Sequence, residues 1–413
     1  MNTPLLLPLL AGLTAATPLV GADDAAAIRQ HRMGTLVITT APGATVRVEQ
    51  TRHEFWFGAA LANQAFDGRM APADLARYRE LFLANFNSAV TENALKWPDM
   101  ERERGKVNYT TVDAMLAWTD AHGLPLRGHN IYWGIRKFVQ PWLQELDDTT
   151  LRATLAARGR DIGRRYRGRF AEYDLNNEMI HGNYYADRLG PRITHEMTQW
   201  VHAEDPAAKL FLNDYDILTG VRLDQYVAHI RELLAQGVPV AGIGVQGHLH
   251  AETFDRAQLR HALDTLAQFG LPIRVTEFNV PGQRSPFYDQ PAFHTVALTP
   301  AQEEAKAREL ADYYRICFAH PAVTGILMWG FWEGANWIPQ SSLYKLDWTP
   351  TPAAHAYRDL VFNQWWTQAD VTADANGRAE VPAFFGTYRV VGGGKSVSVK
   401  LTKAAGTATV TLP

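Results

Sequence analysis

Two glutamates stand where a carboxylate could do chemistry. Glu178 ends the run "YDLNNE", and Glu277 ends a second apolar run, "PIRVTE". Glycoside hydrolysis uses a pair of carboxyl groups, one that donates a proton and one that acts as nucleophile or base. A gap of ~5–5.5 Å between them gives retention of configuration, and ~6.5–9.5 Å gives inversion. The pair therefore predicts a hydrolytic site for sugars, and the sequence leaves the gap between the carboxyls open.

Short apolar strands alternate with amphipathic helical stretches along most of the chain, a pattern typical of βα units. The eight strand candidates begin at Phe55, Asn85, Pro125, Glu172, Lys209, Gly242, Pro272 and Gly325. Eight repeats over roughly 300 residues predict a (β/α)₈ barrel, in which the fourth and seventh strands face each other across the mouth. Glu178 and Glu277 close those two strands. An open doubly wound sheet is the alternative, although the first βα turn has no Gly-rich phosphate loop.

Two flanking segments do not follow this alternation of strands and helices. Residues 29–53 alternate with period two around a Pro-Gly turn and predict a β-hairpin. Residues 367–413 are rich in Gly, Val and Thr and predict several short strands. Because two or three strands bury little apolar surface, we expect the two segments to pair into one small β-sandwich at the base of a catalytic barrel spanning 54–366.

The first 22 residues have the layout of a secretory signal peptide, an apolar run that ends in small residues before Asp23 and Asp24. We therefore expect a secreted protein, extracellular or periplasmic, with an uncleaved anchor as the alternative. No later run is long enough to span a bilayer, so no membrane contact is expected after signal removal. Cys317 is the only cysteine, which excludes an intrachain disulfide and a cysteine-based zinc site.

The charge content favours a neutral polar partner, and the tryptophans fit a pyranose chain. The chain has 40 Lys and Arg against 43 Asp and Glu, without long runs of either sign, which argues against a nucleic acid partner or an anionic membrane. Twelve tryptophans offer indole faces on which the C–H faces of a pyranose chain can stack. We expect a monomer.

A metal-dependent hydrolase is the competing chemistry. "QGHLH" places His248 and His250 on one side of a strand, as in some metal hydrolases with a barrel fold. The further ligands that a catalytic metal needs are missing from the other strand ends, so neither a metal nor a cofactor is expected. The sequence also has no G-x-S-x-G motif for a serine nucleophile.

Seven motifs resemble those of glycoside hydrolase family 10, the endo-β-1,4-xylanases, and they occur in the family's order. They are "TENALKW", "RGHNIYW", "YDLNNE", "LFLNDYD", "GIGVQGHLH", "VTEFNV" and "GILMWGFW". The resemblance implies a retaining enzyme acting on xylan, with Glu178 as general acid/base and Glu277 as nucleophile. It also implies that Asn177 binds the sugar 2-hydroxyl and that His248 orients Glu277. The implied substrate-binding residues are Glu92, Asn93, Lys96, His129, Trp133 and Gln246 on the glycone side, Trp329 and Trp337 around the cleaved linkage, and Tyr215 on the aglycone side.

The chain departs from the family pattern at two places. Gly134 follows Trp133 where many members have His, and the loop "FWEGANW" has an extra Trp332 and Glu333, a combination that resembles the plant-like branch of the family. We assign no role to Glu333. These departures leave the fine substrate preference open. The alternatives are another retaining β-1,4-glycanase, acting on cellulose or mixed-linkage glucan, and a polysaccharide-binding barrel without catalysis.

Overall fold

The computed structural model describes residues 22–284 and 297–412, so the predicted signal peptide lies outside the described residues except for Ala22. The strands of this part are β1 (Met33–Thr39), β2 (Thr45–His53), β3 (Trp56–Leu61), β4 (Ser88–Thr91), β5 (Leu126–Gly128), β6 (Tyr132–Trp133), β7 (Glu172–Asn177), β8 (Leu210–Asp214), β9 (Gly242–Val245), β10 (Ile273–Phe278), β11 (Val323–Met328), β12 (Gln368–Thr372), β13 (Arg378–Phe384), β14 (Gly386–Gly392), β15 (Lys395–Leu401) and β16 (Thr407–Thr411).

The α-helices of the same residues are α1 (Ala22–Arg32), α2 (Pro72–Asn85), α3 (Trp97–Met100), α4 (Thr110–Ala121), α5 (Pro141–Gln144), α6 (Asp148–Arg165), α7 (Tyr184–Leu189), α8 (Ile193–His202), α9 (Leu223–Ala235), α10 (Arg256–Ala267), α11 (Pro300–Ala319) and α12 (Pro352–Asp359). Side-chain caps fix several helix starts: Asp147, Asp255 and Thr299 each accept a hydrogen bond from the first turn that follows. Within the described ranges, no helix combines the length and the apolar character needed to cross a bilayer.

The predicted (β/α)₈ barrel is confirmed. Strands β3, β4, β5, β7, β8, β9, β10 and β11 are parallel, each pairs with its neighbour, and pairing of β5 with β7 and of β11 with β3 closes the ring. The short strand β6 continues the third strand along β7. Both β7 and β10 are buried along their whole length. Side chains at the carboxyl ends of these strands therefore meet at one mouth.

The predicted hairpin in residues 29–53 is wrong. Strand β1 lies between β13 and β16, whereas β2 lies between β12 and β14 in a different sheet. The reason is that the two strands bury their apolar faces against each other, with Leu36 and Ile38 of β1 in the same small core as Val46 and Val48 of β2. The turn between them therefore crosses from one layer to the other, and the terminal segments do form a two-layer β-sandwich.

Arg32 fastens the sandwich to the barrel. It ends α1, is buried, and its guanidinium donates hydrogen bonds to the carbonyls of Phe318 and His320, both at 2.6 Å, and of Val323 at 2.8 Å. Strand β1 begins at the next residue. The carbonyls at the end of α11 and the start of β11 are thus satisfied by a side chain from the sandwich side.

The barrel interior contains a network of paired charges. Arg127 binds both Glu172 and Asp174, and Arg274 donates to Glu172 at 3.0 and 3.1 Å, all with buried side chains. A Cβ on Gly325 would lie 2.2 Å from the Arg274 guanidinium and 2.5 Å from Trp56 Cβ, so this strand position needs glycine. Because each charge has an opposite partner, the network can remain ionised away from water.

Glu172→Gln tests the network, because it removes the anion that Arg127 and Arg274 share. We expect the free energy of unfolding to fall by about 3–5 kcal/mol, as is typical when one partner of a buried ion pair is removed. Urea unfolding followed by tryptophan fluorescence measures the change. The control is Glu80→Gln, which breaks an exposed pair with Arg77 and should cost about 1 kcal/mol or less. Equal losses in the two variants would contradict the assigned role.

Candidate active site

Irregular pairing at the ends of two strands turns consecutive residues toward the same mouth. The register shifts between Asp174 and Asn177 where β7 pairs with β8, and between Val275 and Phe278 where β10 pairs with β11. Such irregularities re-aim side chains that would otherwise alternate between the two faces of a sheet. Both strand ends that carry a predicted catalytic glutamate therefore bring neighbouring side chains into one site.

The Glu277 carboxylate is 4% exposed and has nitrogen donors on both oxygens. Asn213 Nδ2 donates to Oε1 at 2.9 Å, His248 Nε2 lies 3.2 Å from Oε2, and His129 Nδ1 lies 3.8 Å from Oε1. Burial acts to raise the pKa of Glu277, but the two imidazoles and the Lys96 ammonium outweigh it and lower the pKa to about 2. Glu277 is therefore ionised at ordinary pH.

The Glu178 carboxyl lies in an environment of the opposite kind. Trp133 donates its indole N–H to Oε2 at 2.9 Å, and Gln246 Nε2 donates to Oε1 at 2.8 Å. Burial raises the pKa of Glu178, the negative charges of Glu277 and Asp214 raise it further, and the bonds from Gln246 and Trp133 oppose the rise. The surroundings thus raise the pKa of Glu178 and lower that of Glu277, so that one carboxyl group keeps its proton more readily than the other.

Asn213 joins the two strand ends. Its Nδ2 donates to Asn177 Oδ1 as well as to Glu277 Oε1, both at 2.9 Å, and its Oδ1 accepts from Thr276 Oγ1 at 2.7 Å. Its backbone carbonyl accepts the Glu178 N–H at 2.9 Å. Within the described residues Asn177 Nδ2 is buried without a hydrogen-bond partner, which leaves one donor of the site unsatisfied.

His248 is held from both sides. Its Nδ1 lies 2.7 Å from Asn279 Oδ1, which also accepts the Trp337 indole N–H at 3.0 Å. The Asn279 amide in turn donates to Ser341 Oγ at 2.8 Å. The His250 ring lies 5.9 Å from that of His248, and over residues 22–284 and 297–412 no group of three or more His, Cys, Asp or Glu side chains could hold a metal ion.

Lys96 links the predicted glycone side to the nucleophile. Its ammonium donates to Asn93 Oδ1 at 2.8 Å and lies 4.8 Å from the Trp133 ring centroid and 5.8 Å from that of Trp329. Burial raises the pKa of the neighbouring Glu92 to about 7, against the charge of Lys96. Beyond these residues the site continues into a polar cavity of about 730 Å³, lined by residues of the loops that follow β3 and β4.

The predicted aromatic residues pack against other aromatic rings near the site. Trp329 meets the His129 ring edge-on at 5.0 Å, and Trp133 stacks on Phe138 at 3.8 Å. Tyr215, at the end of β8, stacks on His181. All the residues predicted for the site contact or electrostatically influence Glu178 or Glu277, either directly or through one neighbour.

The two extra residues of the strand-eight loop do not join them. Trp332 stacks on Trp348 at 4.2 Å, and both its indole N–H and the Glu333 carboxylate bind the backbone of Leu346, at 3.3 and 2.9 Å. These contacts brace the loop itself. Asn213 and Asp214 lie in the motif "LFLNDYD", but sequence analysis gave them no role, and it missed Thr276, Asp174 and His181.

The chain is similar to known proteins over most of its length. The family model for glycosyl hydrolase family 10 matches residues 48–360. Endo-1,4-beta-xylanase 1 of Arabidopsis thaliana is 35% identical over 352 residues, 84% of this chain and 34% of that protein. Anti-sigma-I factor RsgI6 of Acetivibrio thermocellus is 34% identical over 370 residues, 88% of this chain and 45% of that protein. The chain thus spans less than half the length of either relative.

A solved structure shares the fold. The crystal structure of native xylanase 10B from Thermotoga maritima matches with a TM-score of 0.66 and 24% identity, covering 75% of this chain and 96% of the other. On the extent of the family match and the identity to the relatives, the chain belongs to glycosyl hydrolase family 10.

Proposed function

We propose that the chain is a retaining endo-β-1,4-xylanase that hydrolyses internal xylosidic bonds of xylan without a metal or cofactor. The observation that carries the proposal is the opposite tuning of two carboxyl groups at one barrel mouth, with the pKa of Glu277 lowered to about 2 and the pKa of Glu178 raised. Retention is the mechanism that family membership favours, and it assigns a different task to each carboxyl group.

In the first step the protonated Glu178 gives its proton to the glycosidic oxygen, the C1–O bond breaks, and the Glu277 carboxylate forms an ester with C1. The charge of Glu277 is then gone. Because that charge helps to raise the pKa of Glu178, its loss favours the ionised form of Glu178. In the second step Glu178 takes a proton from water, the water oxygen bonds to C1, and Glu277 leaves as a carboxylate.

Asn177 is suited to bind the 2-hydroxyl of the sugar on Glu277. Its Nδ2 has no partner in the described part of the chain, while its Oδ1 is fixed by Asn213. A bond from this donor that strengthens as the sugar ring flattens stabilises the transition state more than the bound substrate. His248 and Asn213 hold the two oxygens of Glu277 in position meanwhile.

Xylan is supported as the substrate because several relatives are endo-1,4-beta-xylanases. The proposed glycone residues are Glu92, Asn93, Lys96, His129, Trp133 and Gln246; Trp329 and Trp337 flank the linkage, and Tyr215 serves the leaving side. The apolar N-terminal run supports export of the protein.

A second candidate is polysaccharide binding without turnover, because one relative carries the name of an anti-sigma factor. Hydrolysis of cellulose or mixed-linkage glucan is a third, since both glucans contain β-1,4-linked pyranoses, as xylan does. Discrimination between xylan and glucan depends on whether the cleft excludes the C5 hydroxymethyl group of glucose.

Product analysis on three polysaccharides tests the proposal. We expect short xylo-oligosaccharides from xylan and slower release of reducing ends from cellulose and mixed-linkage glucan. Glu277→Gln is the matched control, and turnover should fall by about 10⁴-fold or more because the nucleophile is gone. Faster hydrolysis of glucan would overturn the substrate assignment. Tight binding of xylan by the wild type with no turnover would favour the second candidate.

The pH dependence of kcat/KM tests the roles of the two carboxyls. Activity needs Glu277 ionised and Glu178 protonated. The raised pKa of Glu178 therefore extends activity to higher pH. The pKa of about 2 for Glu277 places the loss of activity in acid at low pH. With xylobiosides, we expect the basic limb above pH 4.5, the ordinary value for a glutamate. A dinitrophenyl leaving group departs without a proton. With such a substrate, the fall of kcat/KM at high pH should therefore be smaller, because the first step no longer needs the Glu178 proton. A basic limb below pH 4.5 would contradict the assignment.

A further inference from the structure

The turn after β7 is fastened to Asp214. Glu178 has φ of 61°, a left-handed conformation that residues with side chains rarely adopt, and its carbonyl accepts the His181 N–H at 3.0 Å. Asp214 Oδ2 accepts the Ile180 N–H at 3.0 Å, and Oδ1 lies 2.7 Å from His181 Nδ1 and accepts the Tyr215 N–H at 3.0 Å. One buried carboxylate thus secures the strained turn that carries Glu178.

The His181 ring is fixed by two further neighbours. It lies against the Tyr215 ring with centroids 3.5 Å apart and planes 12° from parallel. Because a carboxylate only accepts hydrogen bonds, Nδ1 must be the protonated nitrogen that faces Asp214. Nε2 is buried without a hydrogen-bond partner in the described residues, and it lies 4.0 Å from the Asp216 carboxylate.

Asp214 also acts on Glu178 through its charge. The groups that face Glu178 from the surrounding strands are Gln246 and Trp133, which donate hydrogen bonds, and Glu277 and Asp214, which are negative. Both negative groups raise the pKa of Glu178 beyond the effect of burial. A group that weakens the field of Asp214 therefore changes how readily Glu178 gives up its proton.

Few groups can weaken the field of Asp214. Asp214 influences Tyr226 and His229 on α9, and the pKa of His229 is lowered chiefly by burial. Asp216 adds a second carboxyl, whose pKa is raised, by burial first. Among the described residues, His181 is the imidazole that bonds directly to Asp214.

We infer that His181 is a positioning residue for the proton donor. By bonding to Asp214 and stacking on Tyr215, it holds the turn that carries Glu178 and weakens the field that Asp214 exerts on that carboxyl. The inference rests on the proposed function, in which Glu178 protonates the leaving group. Since Tyr215 serves the leaving side in that proposal, the stack connects the leaving-group site with the turn of the proton donor.

Three substitutions separate the hydrogen bond of His181, its ring and the charge of Asp214. His181→Phe keeps a ring on Tyr215 and removes the Nδ1 donor, so the basic limb of kcat/KM should move to higher pH, by about half a unit. His181→Asn returns a donor near the Nδ1 position without the ring, and the limb should move back toward that of the wild type. Asp214→Asn keeps an acceptor for the turn but removes the charge, so the limb should move to lower pH.

Opposite shifts from His181→Phe and Asp214→Asn are the decisive result, because a purely structural loss lowers activity without moving the limb in two directions. An unmoved limb in both variants, or shifts of the same sign, would overturn the inference. If the Phe variant fails to fold, His181→Leu, which also lacks the Nδ1 donor, takes its place in the comparison with Asp214→Asn.

A readout without turnover distinguishes this inference from the proposed function. The Trp133 indole N–H donates to Glu178, so its NMR resonance should follow the Glu178 titration. Its midpoint should move in the same two directions as the limb in the variants. Shifted midpoints in a protein that does not cleave xylan would refute the proposed function and keep the coupling. Unshifted midpoints in an active enzyme would refute the coupling alone.

Discussion

The buried negative charge of Glu277 is the constraint on which the rest of the structure depends. A carboxylate that is 4% exposed stays ionised only where positive charges and N–H donors replace water. One such neighbour, His129, has its Nδ1 2.8 Å from Asp174, which binds Arg127, which in turn binds Glu172. A chain of contacts therefore runs from the nucleophile through the His129 ring to the buried ion pairs of the barrel interior.

Much of this could be predicted from the sequence, because strand ends are visible in it. Apolar runs followed by polar residues placed Glu178 and Glu277 on the fourth and seventh strands, and the parallel barrel brings such ends together. The residues that bind them, such as Trp133, Gln246 and His248, also close strands. The pattern predicts at which end of the barrel these residues lie. It does not predict which side chains they bind.

The remaining features of the site depend on local backbone geometry, which the periodicity of apolar residues does not predict. The irregular pairing in β7 and β10 turns Asn177 and Glu277 toward Asn213, whereas strict alternation would separate neighbours onto opposite faces. The left-handed conformation at Glu178 has no sequence signal, since glycine is the usual residue there. The hairpin prediction for residues 29–53 failed because alternation shows that a strand has an apolar face and does not say which strand pairs beside it.

The central claim is that the two carboxyl groups titrate far apart, and NMR of the protein with ¹³C-labelled glutamate side chains tests it most directly. The account predicts that the Glu277 carboxyl stays ionised down to a pH near 2, that Glu178 titrates above 4.5, and that Glu277→Gln lowers the Glu178 midpoint because the neighbouring charge is gone. A Glu277 carboxyl that takes up its proton at higher pH than Glu178, or a Glu178 midpoint that does not respond to Glu277→Gln, would contradict it.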